Sequence, residues 1–374
     1  MKKSDFMSQL TPLKKIILIV SFTIIASCNS SSDNAISPAS SNGPAKTFTW
    51  KMVTAWPPNF PIFQEGAEQL AKNIEVMSNG RLKIQVFAGG QLVPALEVFD
   101  AVSQGTVQMG HATAQFWAGK IPAAQFMSAM PFGMTANGMN AWLYEGGGLA
   151  LWRELYEPFN LFPFPAGNTG VQMGGWFRHK IETIDDLKGL KMRIPGLGSQ
   201  VLAKAGVTTR LLAGGEIYTA LERGIIDATE WAAPFHDMRF GFPKIAKYYY
   251  YPGWHEPGTV LELIINRQAW TNLPKDLQKI IEVATRSLNQ WIYAESEALN
   301  SKALQKLKQQ KDIKILPFPP EVIKEIKRLT QETLTQEAAK DSAFAKVYKA
   351  YKTFQIEHAR WNTISEEAYN QSLR

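Results

Sequence analysis

The stretch RLKIQVFAGGQLVPALEVFDAVSQGTVQMGHA, residues 81–112, decides the fold class. Leu82 to Phe87 alternates apolar and polar residues as a half-buried strand does, and Gly89-Gly90 closes it. Leu96 to Gln104 repeats apolar residues at helical spacing and stops at Gly105, and Val107 to His111 reads as the next strand. Upstream, Thr47 to Thr54 (TFTWKMVT) alternates in the same way. Ile62 to Met77 then carries Phe63, Ala67, Leu70, Ile74 and Met77 on one helical face before Asn79-Gly80. The order β-α-β-α-β predicts an α/β fold with a parallel sheet and helices packed on its faces.

The same plan recurs. EVFDAVSQGTVQMGHA, from Glu97, lies without gaps on EIYTALERGIIDATEW, from Glu216, each block following an Ala-Gly-Gly. Two lobes built alike would produce this, as would the general likeness of short β-α-β units. Roughly 330 folded residues exceed one comfortable core, which favours two lobes. Ligands of open α/β sheets bind beyond the carboxyl ends of strands, so His111 to Trp117 and Thr229 to Trp231 are candidate site segments.

The remaining chain can be taken in order. Pro122 to Pro131 and Gly133 to Asn140 read as surface crossing and turn, Ala141 to Leu155 as a helix, and Phe159 to Pro165 as a crossing between lobes. Val171 to Phe177 is strand-like and carries Gln172. Thr183 to Gly189 is a short helix signal, and the strand after it presents Arg193 just before Pro195. An amide and a guanidinium on adjacent strand ends can hold a small carboxylate; the alternative is an Arg193 paired with Asp185, Asp186 or another acidic neighbour. Pro234 to Phe240 is amphipathic, Lys247 to Tyr251 and Val260 to Ile265 are strands, and Trp254 to Gly258 is a turn. A helix of about 36 residues begins after Pro274; at 1.5 Å per residue it would run about 54 Å, across both lobes. A strand, Ile313 to Phe318, and two helical stretches complete the chain.

The amino terminus is a basic region, an apolar run from Ile16 to Ile25, and Ala26-Ser27-Cys28. That is a secretory signal, too short to span a membrane. The chain's one cysteine sits directly after it, in a pattern that resembles a bacterial lipobox and implies lipid on Cys28; the alternative is an ordinary signal with an incidental cysteine. Residues 29–46, rich in Ser, Asn, Pro and Gly, read as a flexible tether. Without residues 1–27 the chain has 36 basic and 32 acidic residues, a balance of +4 with no basic cluster, which argues against nucleic acid. The five histidines form no H-x-x-x-H pair and no G-x-S-x-G occurs, so the enzyme alternative, an envelope enzyme acting on small organic acids, rests only on His255 beside Glu256.

The runs NTGVQMGGWF, LKGLKMRIPGLGSQVLAKAG, RGIIDATEW and WHEPG resemble, in this order, the solute receptors of tripartite ATP-independent periplasmic (TRAP) transporters. They are most similar to the branch that takes 2-oxo and 2-hydroxy monocarboxylates. The resemblance implies a two-lobed periplasmic-binding-protein-like fold: 47–168 with 257–295 as lobe I, 169–256 with 296–374 as lobe II and C-terminal helices, after a signal (1–27) and an anchor and tether (28–46). It implies a pyruvate- or lactate-like ligand bridged by Na⁺ or Ca²⁺, a membrane permease as partner, a periplasmic location on a lipid anchor, and a homodimer through C-terminal helices such as Lys324 to Tyr351. A receptor for a different anion or a dicarboxylate is the other outcome. By position, Arg193 would read the carboxylate, Asn168 would be a substrate-side amide, and Phe116 and Trp117 an aromatic wall. Gln172, Glu230 and the Trp231 carbonyl would hold the cation, and Glu256 either the cation or the substrate.

Overall fold

The computed structural model describes residues 46–373, so the signal, Cys28 and the tether lie outside the described residues. The strands, in chain order, are β1 (Phe48–Thr54), β2 (Leu82–Phe87), β3 (Met109–Ala112), β4 (Leu161–Asn168), β5 (Gly175–Phe177) and β6 (Lys191–Arg193). After these come β7 (Thr208–Arg210), β8 (Ala228–Thr229), β9 (Tyr248–Tyr251), β10 (Val260–Asn266) and β11 (Lys314–Pro317). They form two sheets, ordered β2-β1-β3-β10-β4 and β11-β9-β5-β8-β6-β7.

The opening β-α-β-α-β is parallel as its pattern requires: β1 pairs with β2 and β3, and Thr54 stands opposite His111. β10 returns antiparallel between β3 and β4, which makes the sheet mixed. The two similar blocks fold alike. Each is a short helix (Val98–Ser103, Gly214–Glu222), a glycine in the left-handed region (Gly105 at φ +76°, Gly224 at φ +70°) and a strand, β3 or β8. The long helix Lys275–Lys308 buries Leu277, Ile281, Ala284, Leu288 and Ile292 and packs on β4, on the helix Phe63–Met77 and on the short helix Pro234–Arg239.

Four expectations change. Ala141 to Leu155 is not one helix: Gly147, at φ +85°, separates Ala136–Tyr144 from Gly148–Tyr156. Phe159 to Pro165 is no crossing; most of it is the start of β4, which pairs with β10 and buries Pro163, Phe164 and Pro165. Pro122 to Pro131 is not surface chain, because the 3-10 turn Pro122–Met127 buries Phe126 and Met127. The helix Ser342–Ile364, expected with lobe II, packs on that same turn and on Ala136–Tyr144. Phe344 meets Phe126 at 4.7 Å between ring centres, and Tyr351 meets Trp142 at 4.9 Å.

Candidate ligand and cation site

Arg193 is the last residue of β6, and Glu230-Trp231 follows directly on β8, the strand beside it. Pro195, two residues on, caps the next helix, so the guanidinium stays where sheet gives way to loop. Arg193 is 1% exposed and Glu230 likewise. Arg193 pairs through Nη1 with the Glu230 carboxylate, donates from Nη1 to the Glu230 carbonyl at 2.9 Å and from Nε to the Leu212 carbonyl at 3.3 Å. Its Cζ lies 5.1 Å from the Trp231 ring. Asp186, by contrast, accepts from the backbone of Glu182 and Thr183, and Asp185 pairs with Lys188. The guanidinium therefore faces a carboxylate of the candidate site, not the acidic pair of the preceding turn.

The turn from Gly253 to Thr259 brings a second carboxylate. Glu256 Oε2 accepts from Gln172 Nε2 at 2.8 Å and from Thr259 Oγ1 at 2.5 Å, and Oε1 accepts from Gln115 Nε2 at 3.1 Å. Burial, and next the charge of Glu230, pushes the Glu256 carboxyl up to about 6. Burial alone would pull the His255 imidazole down. Its contact with Glu230 Oε2 at 3.4 Å and the charges of Glu230 and Glu256 hold it above its ordinary value.

Several of these groups line one small cavity; Glu230 and His255 are not part of its lining, Glu230 touching Arg193 and His255 touching Glu230. Arg193, Gln172, Glu256, Gln115 and Thr259 supply its polar atoms, while Trp56, Phe63, Phe116, Leu261 and Trp231 supply apolar wall. The donor set fits a hard cation. A carboxylate oxygen each of Glu230 and Glu256 and a ring nitrogen of His255 lie within 4.8 Å of one another, so negative charge converges there, and Gln172 Oε1 is buried with no partner among the described residues. Oxygen donors of this kind suit Na⁺ or Ca²⁺. One guanidinium against two carboxylates also leaves the cavity able to take a cation together with an anion.

The other expected residues divide. Phe116 lines the cavity. Trp117 does not: it turns into the core, where Nε1 donates to Glu262 Oε1 at 2.6 Å and the ring packs on Phe99. A buried indole needs an acceptor for its N–H, and Glu262 is the one in reach. Asn168 is not on the wall either; it accepts from Gly170 N at 2.9 Å and donates to the Gly258 carbonyl at 3.3 Å, which shapes the turn leading to Gln172. His111 is spent inside the sheet, accepting from Trp56 Nε1 at 2.7 Å with its other nitrogen 3.1 Å from the Ala166 carbonyl, and burial lowers it to about 4. Gln115 and Thr259 were not singled out in the sequence. Gln115 lies inside the candidate segment His111 to Trp117, whose position beyond a strand end was the signal for it.

The profile of the family described as bacterial extracellular solute-binding protein, family 7, matches residues 52–341. The chain is 44% identical over 347 residues, 93% of each protein, to a monocarboxylate 2-oxoacid-binding periplasmic protein of Nostoc sp.. Among solved structures it is similar to a TRAP periplasmic solute binding protein from Pseudoalteromonas atlantica with bound sodium and pyruvate. That match has a TM-score of 0.85 and 44% identity, covering 87% of this chain and 99% of that one. A TRAP periplasmic solute binding protein from Colwellia psychrerythraea with bound calcium and pyruvate matches with a TM-score of 0.85 and 43% identity, covering 87% of this chain and all of that one.

Proposed function

The chain belongs to the bacterial extracellular solute-binding proteins of family 7, and we propose that its cavity captures a pyruvate-like 2-oxo or 2-hydroxy monocarboxylate together with Na⁺ or Ca²⁺. As the periplasmic solute receptor of a TRAP transporter, it delivers that acid to the membrane permease. One observation carries this reading: the buried Arg193, paired with the buried Glu230, lines the same small cavity as Gln172, whose Oε1 is buried with no hydrogen-bond partner among the described residues.

Arg193 takes the carboxylate, each charge-assisted hydrogen bond contributing about 1.5–3 kcal/mol net. Gln172 Oε1, the Glu230 carboxylate and the Trp231 carbonyl are the donors for the cation, which offsets the negative charge left when Arg193 turns from Glu230 to the ligand. Phe63, Phe116 and Leu261 exclude water from the ligand's carbon chain. The site binds and releases without turnover, as a receptor does. In its cellular setting the chain is held by lipid on Cys28. It pairs with a second copy through the exposed Ile356, Trp361, Ile364, Tyr369 and Leu373 of its last helices.

Isothermal titration with pyruvate, lactate and longer 2-oxo acids, each with and without Na⁺ or Ca²⁺, tests the assignment. Binding should vanish on cation removal and in Arg193→Ala. Affinity that survives either change, or catalytic consumption of the acid at substoichiometric protein, would overturn it.

A further inference from the structure

The orientation of one side-chain amide governs whether the cavity can hold a cation. Gln172 is 3% exposed, and its Nε2 lies 2.8 Å from Glu256 Oε2, 3.1 Å from Thr259 Oγ1 and 3.2 Å from Thr169 Oγ1. Each threonine hydroxyl has one proton, and both are already committed: Thr259 Oγ1 donates to Glu256 Oε2 at 2.5 Å, and Thr169 Oγ1 donates to the Gly170 carbonyl at 2.9 Å. All three neighbours at this end are therefore acceptors. Only the NH₂ of the amide can occupy it; a flipped amide would set Oε1 against a carboxylate and two lone pairs. The other end, Oε1, is left buried with no partner among the described residues.

Glu256 is itself fixed from both sides, by Gln172 and Thr259 on Oε2 and by Gln115 on Oε1. Its lone pairs are directed at side-chain donors that come from three separate segments of the chain. A carboxylate held in this way is built to orient its neighbours.

Resting on the receptor function proposed above, we infer that Glu256 is a positioning residue for cation binding: it locks the Gln172 amide with Oε1 toward the cation and is not itself a cation ligand. Gln115, Thr259 and Thr169 complete the lock. Outer partners of this kind set ligand orientation and typically change metal affinity about 10–100-fold when replaced.

A double-mutant cycle on the full chain tests this, with Gln172→Ala and Glu256→Gln made singly and together and Ca²⁺ titrated calorimetrically in excess pyruvate. Glu256→Gln alone should raise the Ca²⁺ Kd about 10–100-fold. In the Gln172→Ala background the same change should have no further effect, because the amide it orients is gone. Additive losses would make Glu256 an independent ligand and overturn the inference, as would an unchanged Kd in Glu256→Gln. Failure of the receptor function itself is seen earlier and separately, in a wild-type protein that binds no pyruvate or needs no cation.

Should Gln172→Ala not fold, Thr259→Val and the side-chain ¹⁵N amide resonances of Gln172 decide. Thr259→Val should weaken Ca²⁺ severalfold, and Glu256→Gln should shift those resonances in the ligand-free protein. Unmoved resonances or an unaltered Kd would overturn the lock.

Discussion

Arg193, the last residue of β6, and Glu230, the residue directly after the neighbouring parallel strand β8, form an ion pair that is almost wholly withdrawn from solvent. Breaking such a pair from one side leaves a bare buried charge and costs about 3–5 kcal/mol, whereas apolar or neutral replacement of both is often harmless. Arg193→Met alone should therefore lower the melting temperature and abolish pyruvate binding. Arg193→Met with Glu230→Gln should recover most of the stability and none of the binding. Calorimetric melting beside titration checks this; a double variant no more stable than the single one would refute the pairing.

Glu262 is another buried carboxyl, outside the cavity lining, that accepts from Trp117 and Tyr156, and burial raises it from 4.5 to about 8. The folded state holds its proton more tightly than the unfolded chain. Its stabilising contribution is thus complete below pH 4.5 and is lost as pH rises to about 8. Within that window the slope is about 1.4 kcal/mol per pH unit. Glu262→Gln should gain on the wild type steadily between about pH 5 and 8 in urea titrations. A pH-independent difference would show that Glu262 is ionised throughout.

Gly253 donates to the Gln172 carbonyl at 2.9 Å, and a Cβ on it would stand 2.2 Å from that same oxygen. Gly253→Ala must push the backbone of Gln172 aside. Overpacking of this order costs about 1–3 kcal/mol, and the displacement should weaken Ca²⁺ binding as well. Wild-type cation affinity in a folded Gly253→Ala protein would show that the site tolerates movement of Gln172.

Trp361 is 65% exposed near the end of the helix Ser342–Ile364, with Ile364 and Tyr369 nearby in sequence. Trp361→Glu places a charge in the surface proposed for a second copy. Sedimentation velocity should show dimers for the wild type and monomers for the variant, with pyruvate affinity retained. A wild-type monomer at working concentration would remove the dimer.

The segments legible in sequence were those whose burial follows a regular period. β1 to β3, the helix Phe63–Met77 and the long helix Lys275–Lys308 all repeat apolar residues at two or about 3.6. Pro122 to Asn140 was not legible, because a buried 3-10 turn and a Gly-interrupted helix have no sustained period to read. Within the site, Arg193, Gln172 and Glu256, each singled out by motif, line one cavity, and Glu230 lies beside it in contact with Arg193. Trp117 was misplaced because its direction depends on Glu262, 145 residues further along the chain. Asn168 likewise points at Gly258, 90 residues away. Contacts of that separation leave no trace in local spacing.

The Arg193–Glu230 pair also shapes how the receptor responds to its surroundings. On the function proposed above, the site gives up its internal ion pair when an acid and a cation arrive together, and it then fills according to the product of their two concentrations. By the law of mass action the receptor is then a coincidence detector, idle in periplasm rich in acid but poor in the cation, and its half-saturation point for the acid slides with ambient salt.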